Sequence, residues 1–404
     1  MQTTAFLLLL TLLLVSSPAT AAADRSAELI NQRLELMASV AAFKWLKQRP
    51  IEDLAREQVV LDQATLQALR RQITTDSSRR FFAAQIKAAK QIQACWFDRW
   101  RNGNAPTAAP DLNTEVRPEL LRLGTAIVDS LVTGTSDRAA FMQALDVDCL
   151  ADSARSDIYT ALTAIETYPS RLAQIRQSGI LRVGTTGDYA PFSFARDERE
   201  PVGIDITLAK RLAAQLDTKL HFVTTSWPTL SEDFLAGQFD IAMSGVSITA
   251  ARQQIAAFSL PYHIGGKTPI TLCRRADEFS SLALIDRPSN TLIVNPGGTN
   301  EKYLDAHIRQ ARKHLHNDNR TIFEEIIAGR ADLMITDSIE VRLKSAVFPE
   351  LCPSMPGRTL TYQEKGYMLP QEPLLVEAVN TWLKAEIDSG ELERVFASHL
   401  QARH

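Results

Sequence analysis

Leu181–Phe194 reads LRVGTTGDYAPFSF. Its first half, Leu181–Thr186, has the length and apolar character of a β-strand, and an aromatic turn follows. The chain changes character around this point. Only Gly103, Gly124 and Gly134 precede residue 175, and the other 14 of the 17 glycines follow it. Upstream, apolar residues recur at helical spacing over 26–48, 51–73, 77–100, 115–132 and 137–168. Pro50 punctuates the first pair, and Asn102–Pro110 is a loop by its Asn, Ala and Pro content. Downstream, β-like runs continue at His221–Thr225, Asp240–Ser244, Thr268–Cys273, Thr291–Asn295 and Asp332–Thr336. Helical segments near 203–216, 229–236, 300–313, 321–328 and 337–347 lie between them. That alternation predicts parallel sheets flanked by helices. The fold class is therefore multidomain: an all-α domain followed by an α/β domain.

Size and charge agree with this reading. A chain of 404 residues is too long for one ordinary core. Its 45% hydrophobic and 23% charged residues are those of a globular protein rather than a disordered or membrane-embedded one. Lys and Arg number 44 against 47 Asp and Glu, a net charge of −3, which offers no field for nucleic acid or an anionic membrane.

The N-terminus carries one apolar run, Phe6–Val15, then Ser-Ser-Pro and the small residues Ala19-Thr20-Ala21-Ala22-Ala23. The run is too short to cross a bilayer and suits a signal peptide over residues 1–23 with an A-x-A cleavage site. Export makes the four cysteines candidates for disulfides, with three possible connectivities. Pairing within each half, Cys95–Cys149 and Cys273–Cys352, is the simplest. No Cys/His spacing matches a zinc site, so no metal is expected.

In the helical half, Arg33 and Lys44 are eleven residues apart, about three turns, and share a helix face to within about 20°. A cation stripe bordered by apolar residues is often only a solvated helix edge. However, VAAFKWLKQRPIED (Val40–Asp53), with Arg33 before it and Arg56 after it, resembles the secreted all-helical chorismate mutases over residues 26–168. The resemblance implies that Arg33, Arg56 and Arg117 grip the carboxylates of chorismate, while Lys44 and Gln93 hydrogen-bond the ether oxygen whose bond breaks. Many relatives carry Glu where this chain has Gln93, and a glutamine donates at any pH. A Claisen rearrangement is intramolecular, so positioning and fixed positive charge suffice, with no nucleophile, metal or cofactor.

The α/β half resembles the periplasmic solute-binding proteins for amino acids in LRVGTTGDYAPFSF and in SGVSITAAR (Ser244–Arg252). The resemblance implies two lobes, one of 176–264 with 362–404 and the other of 265–361, around a cleft where Ser247 and Arg252 hold a carboxylate. Bidentate recognition explains arginine there. Trp227 would form an aromatic wall, and the helix opened by Gly298-Thr299 favours an anion. Taken alone, Ser247 and Thr249 could equally be helix caps.

A narrower likeness runs through TSWPTL (Thr225–Leu230), IAMSGVSI (Ile241–Ile248), GKTPITLC (Gly266–Cys273), NPGGTNEKY (Asn295–Tyr303) and TDSIEVRL (Thr336–Leu343). Together, from about 171 to 400, these resemble the periplasmic cyclohexadienyl dehydratases, which convert prephenate or arogenate to phenylpyruvate or phenylalanine. Amino-acid binders commonly place an acid two residues after the first glycine of the opening strand, where this chain has Thr186. The likeness implies Glu340 as the proton donor for the departing hydroxyl. Arg252, Ser247 and Thr299 would anchor carboxylates, with Lys267, Asn295 and Asp337 as polar contacts and Tyr189 and Trp227 against the ring.

The combined expectation is a signal peptide (1–23), a chorismate mutase domain (24–170) and a dehydratase domain (171–404). The partners would be chorismate and prephenate or arogenate, with neither nucleic acid nor membrane. A homo-oligomer is compatible with the sequence. The rival reading is an amino-acid-binding transport or sensor protein fused to a helical interaction module.

Overall fold

The computed structural model describes residues 18–132, 137–195 and 199–401, with side chains from Arg25 onward. The expected signal peptide lies outside these residues as far as residue 17, and Pro18 already begins the first helix. The chain divides into two compact units between Tyr168 and Pro169.

The first unit is helical. It contains α1 (Pro18–Leu46), α2 (Leu54–Ala68), α3 (Thr75–Arg101), α4 (Arg117–Ser130), α5 (Arg138–Ala144) and α6 (Asp152–Thr163). α1 stops four residues before Pro50, and Asp53 then caps α2 by accepting the Arg56 backbone N–H at 3.0 Å. Thr74 caps α3 in the same way through Ser77, an arrangement typically stabilising by about 1 kcal/mol. Ile30, Leu34 and Met37 recur at three- and four-residue spacing on α1. They pack with Phe81 and Ile92 of α3, Ile127 of α4 and Ile158 of α6 to form the core.

The single helix expected over 137–168 is two. Between α5 and α6 the chain buries Leu145, Val147 and Leu150, residues that a continuous helix would spread over different faces. Cys149 adopts a left-handed conformation there (φ 70°) and joins Cys95 of α3 in a disulfide.

The second unit has two sheets. The first runs in the order Lys219–Thr224, Ile180–Thr185, Ile241–Ala242, Met368–Leu369, Ala257–Phe258. The second runs Arg312–Leu315, Thr291–Val294, Leu333–Asp337, Lys267–Leu272, Leu351–Pro353. Each is mixed rather than purely parallel. Lys267–Leu272 carries the chain into the second lobe and Met368–Leu369 returns it to the first, and both pair antiparallel with their neighbours. At the crossing, His263–Gly265 pairs antiparallel with Gln363–Lys365, so two strands connect the lobes.

The second lobe illustrates why its strands read as nearly continuous apolar runs. Ile293 and Met334 pack on one face of the sheet, while Leu292, Val294, Leu333 and Ile335 pack on the other. Period-two alternation covers both faces with apolar residues. The Cys273–Cys352 disulfide fastens the edge strand Leu351–Pro353. The helix expected over 300–313 ends at His307, and the strand Arg312–Leu315 follows. Every residue of that strand is exposed and its sequence, RKHL, lacks apolar alternation, so nothing local announces it. The helices Pro373–Asp388 and Glu391–Gln401 complete the first lobe, through Leu375, Val379, Leu383 and Val395.

Candidate active sites

The helical unit holds a cavity of about 250 Å³. Arg33, Lys44, Arg56, Gln93 and Arg117 all line it, drawn from four helices. Arg33 and Lys44 reach it from the same face of α1, as their spacing predicts. Arg33 is 8% exposed, and its Nη1 donates to Gln85 Oε1 at 3.3 Å while its Nε has no protein partner. Burial lowers its pKa to about 10, which leaves the guanidinium charged at neutral pH. Lys44 Nζ donates to the Ile51 carbonyl at 2.6 Å, and burial lowers its pKa against the opposing pull of Asp53 and Glu57. Gln93 is buried, with Nε2 donating to Ala89 O at 3.0 Å and Oε1 unpartnered. Arg117 bonds Asn113 at the foot of α4.

One residue of this cavity, Lys90, went unread in the sequence. It bonds both Glu52 and Glu57 at 3.0 Å. Gln85 is fully buried beside Arg33 with its Nε2 unpartnered. Gln85 shares its helix face with Ala89 and Gln93, as the sequence spacing predicts. The Lys90 contacts join α3 to α2 and to the segment before it, which local spacing does not reveal.

In the second unit, Tyr189, Trp227, Ser247, Arg252, Asn295, Thr299 and Asp337 line a cleft between the two lobes. Gly245 shapes its floor. Its φ of +64° favours glycine, and a Cβ there would sit 2.6 Å from the Tyr189 ring. Arg252 Nη1 donates to Ser247 O at 3.0 Å, and its guanidinium lies 5.9 Å from the Trp227 ring centroid. Burial lowers the Arg252 pKa to about 10. Trp227 Nε1 is held by Asp188 at 3.0 Å. Thr249, not Ser247, caps the short helix that carries Arg252.

Asp337 lies at the end of its strand and joins the lobes. The Tyr189 hydroxyl and Lys365 Nζ, the latter at 2.8 Å, bond its Oδ2, and Lys267 Nζ bonds its Oδ1 at 2.6 Å. Burial would raise the Asp337 pKa, but the two lysines overcome it and hold the carboxyl well below the usual range. Lys365 was not singled out in the sequence. It sits on the connecting strand Gln363–Lys365, and only the crossover brings it to the cleft. The cleft volume is about 20 Å³, room for little more than a water molecule.

Two expected cleft residues are placed differently. Lys267 is fully buried beneath the cleft wall, where its Nζ also meets Thr299 at 2.9 Å and Asn300. Glu340 stands one layer behind the cleft surface. It is 1% exposed, and its Oε2 accepts the Thr336 hydroxyl at 2.6 Å. Thr336 in turn accepts from Asn300 Nδ2 at 3.0 Å, and Asn300 lines the cleft. The reason is helical geometry. The helix Ser338–Val347 begins directly after Asp337, so a side chain in its first turn can fold back against Thr336. Burial pushes the Glu340 carboxyl up to about 7, with Lys344 and the Thr336 bond opposing.

With both sites described, the likeness to known proteins can be stated. The family profile for chorismate mutase type II matches residues 24–94, and that for bacterial extracellular solute-binding proteins of family 3 matches residues 181–402. The chain belongs to both families. A monofunctional chorismate mutase of Enterobacter agglomerans is 34% identical over 146 residues, 34% of this chain and 80% of that protein. A cyclohexadienyl dehydratase of Pseudomonas aeruginosa is 48% identical over 243 residues, 60% of this chain and 91% of that protein. Among solved structures, an ancestral amino acid-binding protein, described as a precursor of cyclohexadienyl dehydratase, is 33% identical. Its TM-score is 0.54, over 57% of this chain and all of that one. The fold class is thus a type II chorismate mutase domain followed by a two-lobed solute-binding domain. No described helix is long and apolar enough to cross a membrane.

Proposed function

We propose that this is a bifunctional enzyme of aromatic amino acid synthesis, whose helical domain converts chorismate to prephenate and whose two-lobed domain converts prephenate or arogenate to phenylpyruvate or phenylalanine. We place it in the periplasm, with the mature chain starting near residue 24.

In the helical cavity, Arg33, Arg56 and Arg117 hold the two carboxylates and select the compact conformer of chorismate. As the C–O bond breaks and the C–C bond forms, negative charge grows on the ether oxygen. Lys44 and the Gln93 amide donate to it. No proton changes owner.

In the cleft, Arg252, Ser247 and Thr299 bind carboxylate, and Tyr189 and Trp227 flank the ring. Glu340, reached from the cleft through the Thr336 and Asn300 layer once the lobes part, is the proton source for the ring hydroxyl, which leaves as water while the ring carboxylate departs as CO2. The electrons of that C–C bond complete the aromatic ring. Prephenate and one proton thus become phenylpyruvate, CO2 and water, and Glu340 is reprotonated from solvent.

The observation that favours an enzyme over a passive binder is Glu340 itself. It is a carboxyl whose pKa burial raises to about 7, so that it can hold a proton near neutral pH, one hydrogen-bonded layer from the cleft. The test supplies chorismate to the purified chain. Phenylpyruvate is the expected product. Prephenate accumulating alone would leave only the helical domain as an enzyme, and unconsumed chorismate would sink the mutase assignment.

A further inference from the structure

Among the described cations lining the helical cavity, Arg33 alone is fully buried. Burial is also the one cause that moves its pKa, with no carboxylate opposing it. The other cations differ. Asp53 and Glu57 pull against burial at Lys44, and both Glu52 and Glu57 bond Lys90. The Arg33 guanidinium is instead held by a neutral group, since its Nη1 donates to Gln85 Oε1 at 3.3 Å.

Packing does not explain the glutamine. Gln85 has no solvent exposure, and the residues one turn away on α3, Phe81, Phe82, Ala88 and Ala89, are buried with it. A leucine would fill the position without leaving a buried amide nitrogen unpartnered, as Gln85 Nε2 is. The half-satisfied amide suits an orienting role. Its oxygen must face Arg33, because the reversed amide would set two donors together. An ionised glutamate would orient the guanidinium equally well but would neutralise it, removing the charge that a substrate carboxylate needs. The interlobe cleft repeats the arrangement: Arg252 Nη1 is held by the Ser247 carbonyl, also a neutral acceptor, and burial alone lowers its pKa.

We infer that Gln85 is a positioning residue of the mutase site: as a neutral acceptor it fixes the Arg33 guanidinium at the cavity while leaving the whole positive charge for a substrate carboxylate. Gln85 does not itself line the cavity, so it acts through Arg33. The inference rests on the reading of this cavity as a chorismate site. Its test therefore includes a readout that needs no chorismate.

In the full chain, Gln85→Leu should lower kcat/KM for chorismate by about tenfold, mainly through a raised KM. Combined with Arg33→Ala it should cost nothing further, because its effect passes through Arg33. An additive loss in the double variant, as a packing defect would give, overturns the proposal. Gln85→Glu keeps the size and the acceptor but adds a charge, and at about pH 8 it should lower kcat/KM by about a hundredfold. Unchanged turnover in that variant also overturns the proposal. Without any ligand, NMR of labelled arginine follows rotation of the Arg33 guanidinium, its signal identified by its loss in Arg33→Ala. Gln85→Leu should speed that rotation by about tenfold, and an equal rate in the two proteins overturns the proposal. If the unaltered chain does not consume chorismate, the mutase reading fails, and the rotation still decides whether Gln85 fixes Arg33. If Gln85→Leu does not fold, Gln85→Glu decides the inference.

Discussion

The helical cavity and the interlobe cleft both use buried guanidinium groups, yet they are built on opposite plans. The cavity has a volume of about 250 Å³, and two of its polar atoms, Arg33 Nε and Gln93 Oε1, have no partner in the protein. The cleft has about 20 Å³, and its central charges, Asp337, Lys267 and Lys365, satisfy one another. The difference follows from the chemistry proposed for each. A rearrangement within one molecule needs a rigid, preformed mould with charge in fixed places, which a helical bundle supplies. Elimination of water needs a stored proton and a site that opens for a large diacid. Two lobes joined by two strands can open, and a carboxyl buried behind the cleft can store the proton.

Substitutions at the two sites can separate these plans. The largest effect is expected for Glu340→Gln, which keeps the shape and removes the transferable proton. It should lower the release of phenylpyruvate from prephenate by about 10³-fold and leave chorismate consumption unchanged. Retention of more than a tenth of the rate would assign the proton to another group.

Arg33→Ala should do the reverse. The loss of a buried charged donor should reduce kcat/KM for chorismate by on the order of 10²-fold, while prephenate turnover stays intact. A variant that binds and turns over chorismate normally would make the cavity a structural feature only.

The pH profiles should also diverge. Glu340 must be protonated to act, and its pKa is raised to about 7. The protonated fraction therefore falls as pH rises through that value, and dehydration should decline by about tenfold per unit above it. The mutase step should be flat between about pH 5 and 8, because Gln93 does not titrate and Arg33, with a pKa of about 10, remains charged. Rates measured separately on chorismate and prephenate, each corrected for uncatalysed decay, would show this. Parallel declines in the two activities would remove the contrast.

The smallest effect concerns Gln93→Glu. It should cost a few-fold at acidic pH and progressively more toward pH 8, as the introduced carboxyl ionises and ceases to donate. A flat profile in that variant would show that Gln93 does not contact the ether oxygen.

Much of this architecture was legible from local pattern. The change in glycine usage near residue 175 marks where long helices give way to alternating strands and helices, close to the structural division after Tyr168. The helical spacing of Arg33 and Lys44 placed them on one face of α1, and both meet the same cavity. Other elements had no local signature. The exposed strand Arg312–Leu315 lacks apolar alternation, and the break between α5 and α6 follows from long-range burial and the link from Cys149 to Cys95. Lys365 carried no local signature, and only the crossover strand brings it beside Asp337.

The amino-acid sequence by itself determined the two-part plan, the helix face shared by Arg33 and Lys44 and the cysteine inventory, because periodicity and residue type act over a few turns of chain. Tertiary structure alone decided which charges meet. Lys267, Asp337 and Lys365 span nearly a hundred residues, and their mutual contacts depend on two lobes folding against each other in a medium that screens little. It also decided that Glu340 sits behind the cleft wall, since the pKa of a carboxyl is set by the atoms that exclude water from it and not by its neighbours in sequence.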